Sequence, residues 1–394
     1  MAVLSSGCVK YVSALNRYNR HAMVNGALTG FLRILFLYDV CEEIRTGQLR
    51  SLLTGEGQGV VTERRRDPAF HHPSPDYVRF ERPPVVQHFG ALTLKNGACF
   101  DCELNYYEYG AVSVKLGLPF AVDWPELVTL SSQWIADPEI EKGALQIARK
   151  SLAAARPALV RPNEEWLVED YYVIHLHNPI GPDGSQLFKG TDLIADHGKD
   201  IARIVRGERV ELSEEERREI LGSRMSYYPD DLLVVGWNAA FLCDTAEGAT
   251  PTIQLLEYAN TQLLEFRYYD TVLSRVLERV YSSLDQRGGI FQRWRLAREA
   301  QGLNKIRLDV RELTERIDTS IKFLSDMFSA RQYRMAAGKI GVDDYRRLVE
   351  SKLHTAGELY TFMMDQFHSS RGFVLEVMVV VILVIELVFV FRGK

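Results

Sequence analysis

The C-terminal stretch constrains this 394-residue chain most. Phe373 to Phe391 reads FVLEVMVVVILVIELVFVF, followed by Arg392-Gly393-Lys394. As a helix at ~1.5 Å per residue the run is about 28 Å long, close to a bilayer core of roughly 30 Å. It predicts one C-terminal transmembrane helix over 372–391, a tail at 392–394, and a body tethered by its end. Two carboxylates, Glu376 and Glu386, lie inside the run. An ionised carboxylate at mid-bilayer costs roughly 2.5–3.5 kcal/mol on insertion scales. At ~100° per residue the two lie about 80° apart and share one side of the helix. They read either as acids tolerated near the interfaces or as a polar seam that joins anchors in an oligomer.

The rest of the composition is globular, with 46% hydrophobic and 25% charged residues. A net charge of −5 argues against a dedicated nucleic-acid binder, so no nucleic-acid partner is expected. Five scattered cysteines (Cys8, Cys41, Cys99, Cys102, Cys243) do not form a disulfide framework and point to a reducing compartment. Cys99 and Cys102 form a lone CxxC with no second pair to complete a zinc site, so half-buried thiols are the expectation. Residues 1–27 hold no secretory apolar core and read as a polar N-terminal segment weakly similar to a mitochondrial presequence.

Residues 28–248 read as an α/β head. GFLRILFLYDV (Gly30 to Val40) predicts a buried first strand, and CEEIRTGQLRSLL a helix. Residues 54–88 carry Arg64-Arg65-Arg66 and a cluster of prolines, and read as a Pro-rich insertion. Alternation resumes from His88, with turns at Lys95-Asn96-Gly97 and near Gly110, which predicts an antiparallel meander. Two helices follow, WPELVTLSSQWI and EIEKGALQIARKSLAAA. A second α/β block comprises a strand over Trp166–His177, a helix ending near Gly207, a Ser213/Glu216 capping box, and one or two strands in DDLLVVGWNAAFLCD.

From 249 to 371 the sequence reads as helical. Apolar residues at heptad spacing (Leu256, Ala259, Leu263, Phe266, Leu273, Leu277, Val280) predict the first of three long helices, separated by Arg287-Gly288-Gly289 and Gly338-Lys339-Ile340-Gly341. They imply a coiled-coil-like antiparallel stalk, closed within one chain or shared between chains. The expected fold class is α+β: a mixed head, a helical stalk and one transmembrane helix.

YYEYGAVSVKLGLPF (106–120), QLLEYANTQLLEFRYYDTVLSRVLE (254–278) and above all KLHTAGELYTFMMDQFHSSRGFVLEVMVVVILVIELVFVF (352–391) resemble the "required for meiotic nuclear division" family. Leu375-Glu376 and Ile385-Glu386 match its membrane-helix acids. The chain departs from the family pattern at Lys115-Leu116, where an aromatic pair is common. It departs again at Glu257, Tyr258 and Asn260 in the first long helix. The resemblance implies an inner-membrane scaffold or tether that forms homo-oligomers. It brings no catalytic residues.

One constellation reads as a possible metal site. His175 and His177 lie two apart on a strand and point the same way, and Asp192, Asp196 and His197 follow within a helix length. The bland reading is an edge strand with polar decoration and a solvated helix end. GPDGSQ (181–186) lacks phosphate-loop spacing, and no nucleophile elbow, HExxH or GxGxxG is present. Two functions are therefore expected. The first is a tail-anchored, homo-oligomeric scaffold, without a cofactor, at the cytoplasmic face of an inner membrane or the matrix face of the mitochondrial one, its head recruiting a protein partner. The second is a membrane-tethered metal-dependent hydrolase using His175, His177 and Asp196.

Overall fold

A computed structural model describes residues 27–55, 84–135, 137–180, 186–285 and 327–392, together with residues 306, 308, 310 and 311. Most of the Pro-rich insertion, the N-terminal segment and most of the second expected long helix lie outside the described residues, as do the side chains of 363–377 and 385–392. The chain divides into two compact units. Unit one is Met1–Glu265 with Asp318–Asp343; unit two is Phe266–Ile317 with Asp344–Lys394.

Unit one is built on a mixed eight-stranded sheet. Its strands are β1 (Leu28–Asp39), β3 (Val85–Thr93), β4 (Cys99–Tyr106), β5 (Ala111–Val122), β7 (Val168–His177), β8 (Arg224–Met225), β9 (Leu232–Val235) and β10 (Ala239–Asp244). Their order is β3-β4-β5-β1-β7-β10-β9-β8. The β7/β10 pairing is parallel and the others are antiparallel. The short strands β2 (Cys41–Ile44) and β6 (Leu159–Pro162) pair separately.

Side chains alternate across the sheet, so each strand feeds two faces. On one face Leu32, Ile34, Phe36 and Tyr38 of β1 join Val112, Val114, Tyr172, Ile174 and Phe241 in the main core. Helices cover that face: α2 (Trp124–Gln133), α3 (Pro138–Ala155), α4 (Gly190–Arg206) and α5 (Glu214–Gly222), supplying Leu127, Ile140, Ile147, Ile201 and Ile220. Fully burying one such side chain contributes roughly 1.5–3 kcal/mol.

Local sequence explains the helix ends. Asp123 and Glu126 form a reciprocal capping box ahead of α2, with Pro125 in its first turn. The Asp137 carboxylate accepts the N–H groups of Glu139 and Ile140 at 2.8 and 3.2 Å. Gly207 closes α4 at φ 74°. Ser213 Oγ accepts the Glu216 N–H at 3.2 Å, the Ser half of the expected box.

The stretch expected as one helix over 41–53 is instead β2 followed by α1 (Thr46–Gly55). Cys41 to Ile44 pair with β6, and the Arg45 N–H donates to the Ala158 carbonyl at 2.9 Å, so cross-chain pairing overrides local helix propensity there.

The expected stalk and anchor are corrected. Helix α6 (Ala246–Asp285) starts directly after β10, and its first half is not a free coiled-coil arm; α7 (Met327–Ile340) and α8 (Val342–Arg392) come later in the chain. From Thr252 to Glu265 the residues on every side of α6 are buried apart from Gln254, including Glu257, Asn260, Thr261 and Gln262. A coiled-coil seam buries only its a and d stripe. In unit two the described contact between α6 and α8 (Val342–Arg392) is short: Val276, Leu277 and Val280 meet Ala356, and Lys352 reaches Asp270 and Ser274.

The expected break at 369–372 is helical, so the stretch predicted as a separate anchor is the end of α8. Among the described residues no helix is long and apolar enough to cross a membrane. The predicted single-pass placement in an inner membrane, bacterial or mitochondrial, falls with the expected span.

Candidate functional site on the second sheet face

The odd-numbered residues of β1 and β4 and their neighbours make the other face of the eight-stranded sheet. Here α6 crosses the strands and closes part of the face over a row of charged and polar groups. Glu257 of α6 is fully buried. Both its oxygens accept from Asn105 Nδ2, at 2.9 and 3.1 Å. Lys115 Nζ lies 3.7 Å from Glu257 Oε2 and contacts Glu103 directly. His88 Nδ1 is 3.6 Å from Glu103 Oε2.

Strand register sets this row, because His88 pairs with Glu103 and Glu103 with Lys115. Burial alone would lower the Lys115 ammonium, but Glu257 and Glu103 outweigh it and hold the group above its ordinary range. One turn further along α6, the Tyr109 hydroxyl meets Thr261 Oγ1 at 2.6 Å.

The adjoining row is less covered. Arg33, Gly117 and Asp101 stand opposite one another on β1, β5 and β4. Strands lie ≈ 4.8 Å apart, so Arg33 and Asp101 flank a gap of roughly 10 Å between their Cα atoms, floored by a residue with no side chain. A Cβ added to Gly117 would make only ordinary contacts, with the Asp101 carbonyl oxygen at 3.9 Å and the Asp101 Cβ at 4.0 Å, so no side chain crowds the position.

Among the described residues neither Arg33 nor Asp101 has an ion-pair partner, and Arg33 Nε is buried without a hydrogen bond. The Arg33 guanidinium is held over the exposed ring of Phe31, 5.3 Å from its centroid. Burial lowers the Arg33 pKa, against the pull of Glu103, Asp101 and Glu257.

The residues singled out from sequence are placed apart. His175 and His177 project from this second face, ring centroids 6.4 Å apart. His175 is buried, its Nε2 3.2 Å from the Asp244 carbonyl and its Nδ1 unpartnered, and burial pushes its pKa down to about 4. Asp196 and His197 belong to α4, which packs on the opposite face. There the His197 ring stacks on Trp124 at 4.1 Å, and Asp196 is exposed. The sheet therefore separates the two pairs.

Among the described residues no group of three or more His, Cys, Asp and Glu side chains is placed to hold a metal ion. Cys102 is a buried free thiol whose pKa burial raises to about 12. The Glu376 and Glu386 side chains lie outside the described residues.

Arg33, Asp101, Glu103 and Gly117 come together only through strand register. The available signal was a charge at every second position, Asp101-Glu103 on β4 and Lys115 on β5, each inside an otherwise apolar strand.

Residues 29–250, more than half of the chain, match the model of the family described as "Uncharacterized protein MJ0711, N-terminal domain", and the chain belongs to that family. The α/β body of unit one up to the start of α6 is thus the family's domain, and it contains Arg33, Asp101, Lys115 and Gly117. A relative in Methanocaldococcus jannaschii, "Uncharacterized protein MJ0711", is 21% identical over 188 residues, which are 48% of this chain and 58% of that protein. The match thus spans less than two thirds of the relative. No solved structure matches the chain significantly.

Proposed function

We propose that the α/β body is a ligand-recognition module and that its site is the open part of the second sheet face, between Arg33 and Asp101. One observation carries the reading: two opposite charges on β1 and β4, both without an ion-pair partner among the described residues, with only the side-chain-free Gly117 of β5 between them. A half-buried guanidinium is normally paired, because desolvated charge is costly when left alone. An incoming polar group would supply the missing partner. The hydrolase alternative lacks the convergence it requires, since Asp196 and His197 lie across the sheet from His175 and His177.

The test is amide chemical-shift mapping with a panel of small anions, cations and zwitterions. Perturbations clustered at Phe31, Arg33, Asp101 and Gly117 support the module. A panel that leaves those amides unmoved overturns it.

A second reading concerns the whole chain. Met378 to Val384 on α8 are exposed at 48–57%, seven consecutive large apolar residues on all sides of one helix. Apolar patches of this kind mark association surfaces. We propose that chains self-associate through this segment, in keeping with the expected homo-oligomer.

A further inference from the structure

The charges around the Gly117 gap discriminate between ligand classes. Among the described residues, Arg33 offers an unpaired cation at one side and Asp101 an unpaired, exposed carboxylate at the other. Glu103 and Glu257 are already engaged by Lys115 and Asn105. A simple anion at Arg33 would meet the field of Asp101, Glu103 and Glu257, which all act on that guanidinium. A simple cation at Asp101 would meet Arg33. A ligand with both charges at short separation satisfies both walls. Phe31 lies beside the guanidinium with its ring exposed, so an apolar side chain on the ligand has a surface to rest on.

We propose, building on the recognition reading above, that the gap binds a free α-amino acid, its carboxylate on Arg33, its ammonium on Asp101 and its Cα over Gly117. The bidentate fork of Arg33 suits a carboxylate, and its orphaned Nε becomes a donor with an acceptor. Gly117 has a specific part in this, since any side chain there would stand between the two charges. A Cβ at Gly117 meets no clash, so Gly117→Val narrows the gap at a strand position that accepts a Cβ.

The experiment is calorimetric titration of the full chain with L-leucine, L-phenylalanine, L-glutamate and L-lysine, and with N-acetyl-L-leucine and L-leucinamide. At least one free amino acid is expected to bind, with both blocked leucines failing. Loss of one charge-assisted partner is expected to weaken binding about tenfold or more, in Arg33→Met and in Asp101→Asn. Gly117→Val is expected to abolish binding while its unfolding midpoint stays at or above that of the parent.

Binding of N-acetyl-L-leucine as tight as L-leucine would make this an anion site. Binding of L-leucinamide alone would make it a cation site. Either result sinks the amino-acid inference and leaves the recognition reading standing. If none of the six compounds binds, the inference fails, and the shift mapping with the wider panel then decides the recognition reading separately.

Discussion

Lys115 Nζ lies 3.7 Å from Glu257 Oε2, joining β5 to a fully buried position on α6, 142 residues later in the chain. The two residues were the conspicuous departures in their segments: a lysine in an apolar strand and a glutamate in a heptad-patterned helix. Each departure accounts for the other. A buried carboxylate requires a cation or donors, and Glu257 has Lys115 and Asn105.

Removing one member of the pair leaves a buried charge alone. Lys115→Met is expected to destabilise the fold by about 3 kcal/mol or more, the range for a broken buried pair. Lys115→Met combined with Glu257→Leu is expected to cost less than the sum of the two single changes. Denaturant melts of the four proteins give the coupling. Strict additivity would show that the pair does not interact in solution.

Gly110 opens β5 at φ 95°, and a Cβ there would fall 1.7 Å from the Cys41 carbonyl oxygen. The Tyr109-Gly110-Ala111 turn therefore admits no side chain. Gly110→Ala is expected to destabilise by more than about 2 kcal/mol, since backbone strain and the clash act together. A melt with the parent midpoint would refute this reading of the turn.

Much of the head was legible because its signals are local. The cap at Ser213, the helix end at Gly207 and the turns at Gly97 and Gly110 announced element ends, a β-rich run announced β1, and alternation announced the meander of β3 to β5. What escaped depended on distant pairing. Cys41 to Ile44 sit in helix-like sequence yet find β6 more than a hundred residues away. The heptads of α6 were real, but the same helix is buried between its stripes too, which spacing cannot report. The gap of Arg33, Gly117 and Asp101 comes from three strands brought into register, with Arg33 68 residues before Asp101 in the chain. The His175/Asp196 grouping failed for the opposite reason: closeness in sequence hid the sheet that stands between them.

His175 gives a signed pH dependence. Burial holds its folded-state pKa near about 4, below the ordinary value of 6.5. The unfolded chain therefore takes up a proton first as pH falls, and stability is lost between about 6.5 and about 4. For one group the loss approaches roughly 3 kcal/mol. His175→Leu is expected to flatten that part of the stability curve. Asp244, raised to about 6 by burial, acts in the opposite direction and remains in both proteins. Identical acid limbs for parent and variant would show that His175 is not buried neutral.

Asp39 has the reverse sign. Burial lifts its carboxyl to about 7, against a hydrogen bond from Asn163, and its Oδ2 has no partner. The folded state thus holds this proton more tightly than the unfolded chain, and stability falls as pH rises from the ordinary carboxylate range through about 7. Asp39→Asn keeps the shape and removes the ionisation. The variant is expected to gain on the parent as pH rises from 5 to 8 in paired thermal melts. A difference that does not change with pH rules out the buried ionisation.

The segment Met378–Val384 supports a prediction about assembly. Val380 and Leu383 are three apart on α8, so they share one face, and each is 57% exposed. Charges placed at both positions should disfavour burial against another copy while leaving the helix itself intact, because lysine is a good helix former. Light scattering of the parent is expected to report a mass above that of a single chain. Val380→Lys with Leu383→Lys is expected to shift it toward the single-chain value at the same concentration. If both proteins scatter as single chains, or the mass stays high in the variant, association through this face is refuted. The family match ends at residue 250, well before this segment, so its assembly role stands apart from the recognition role proposed for the body.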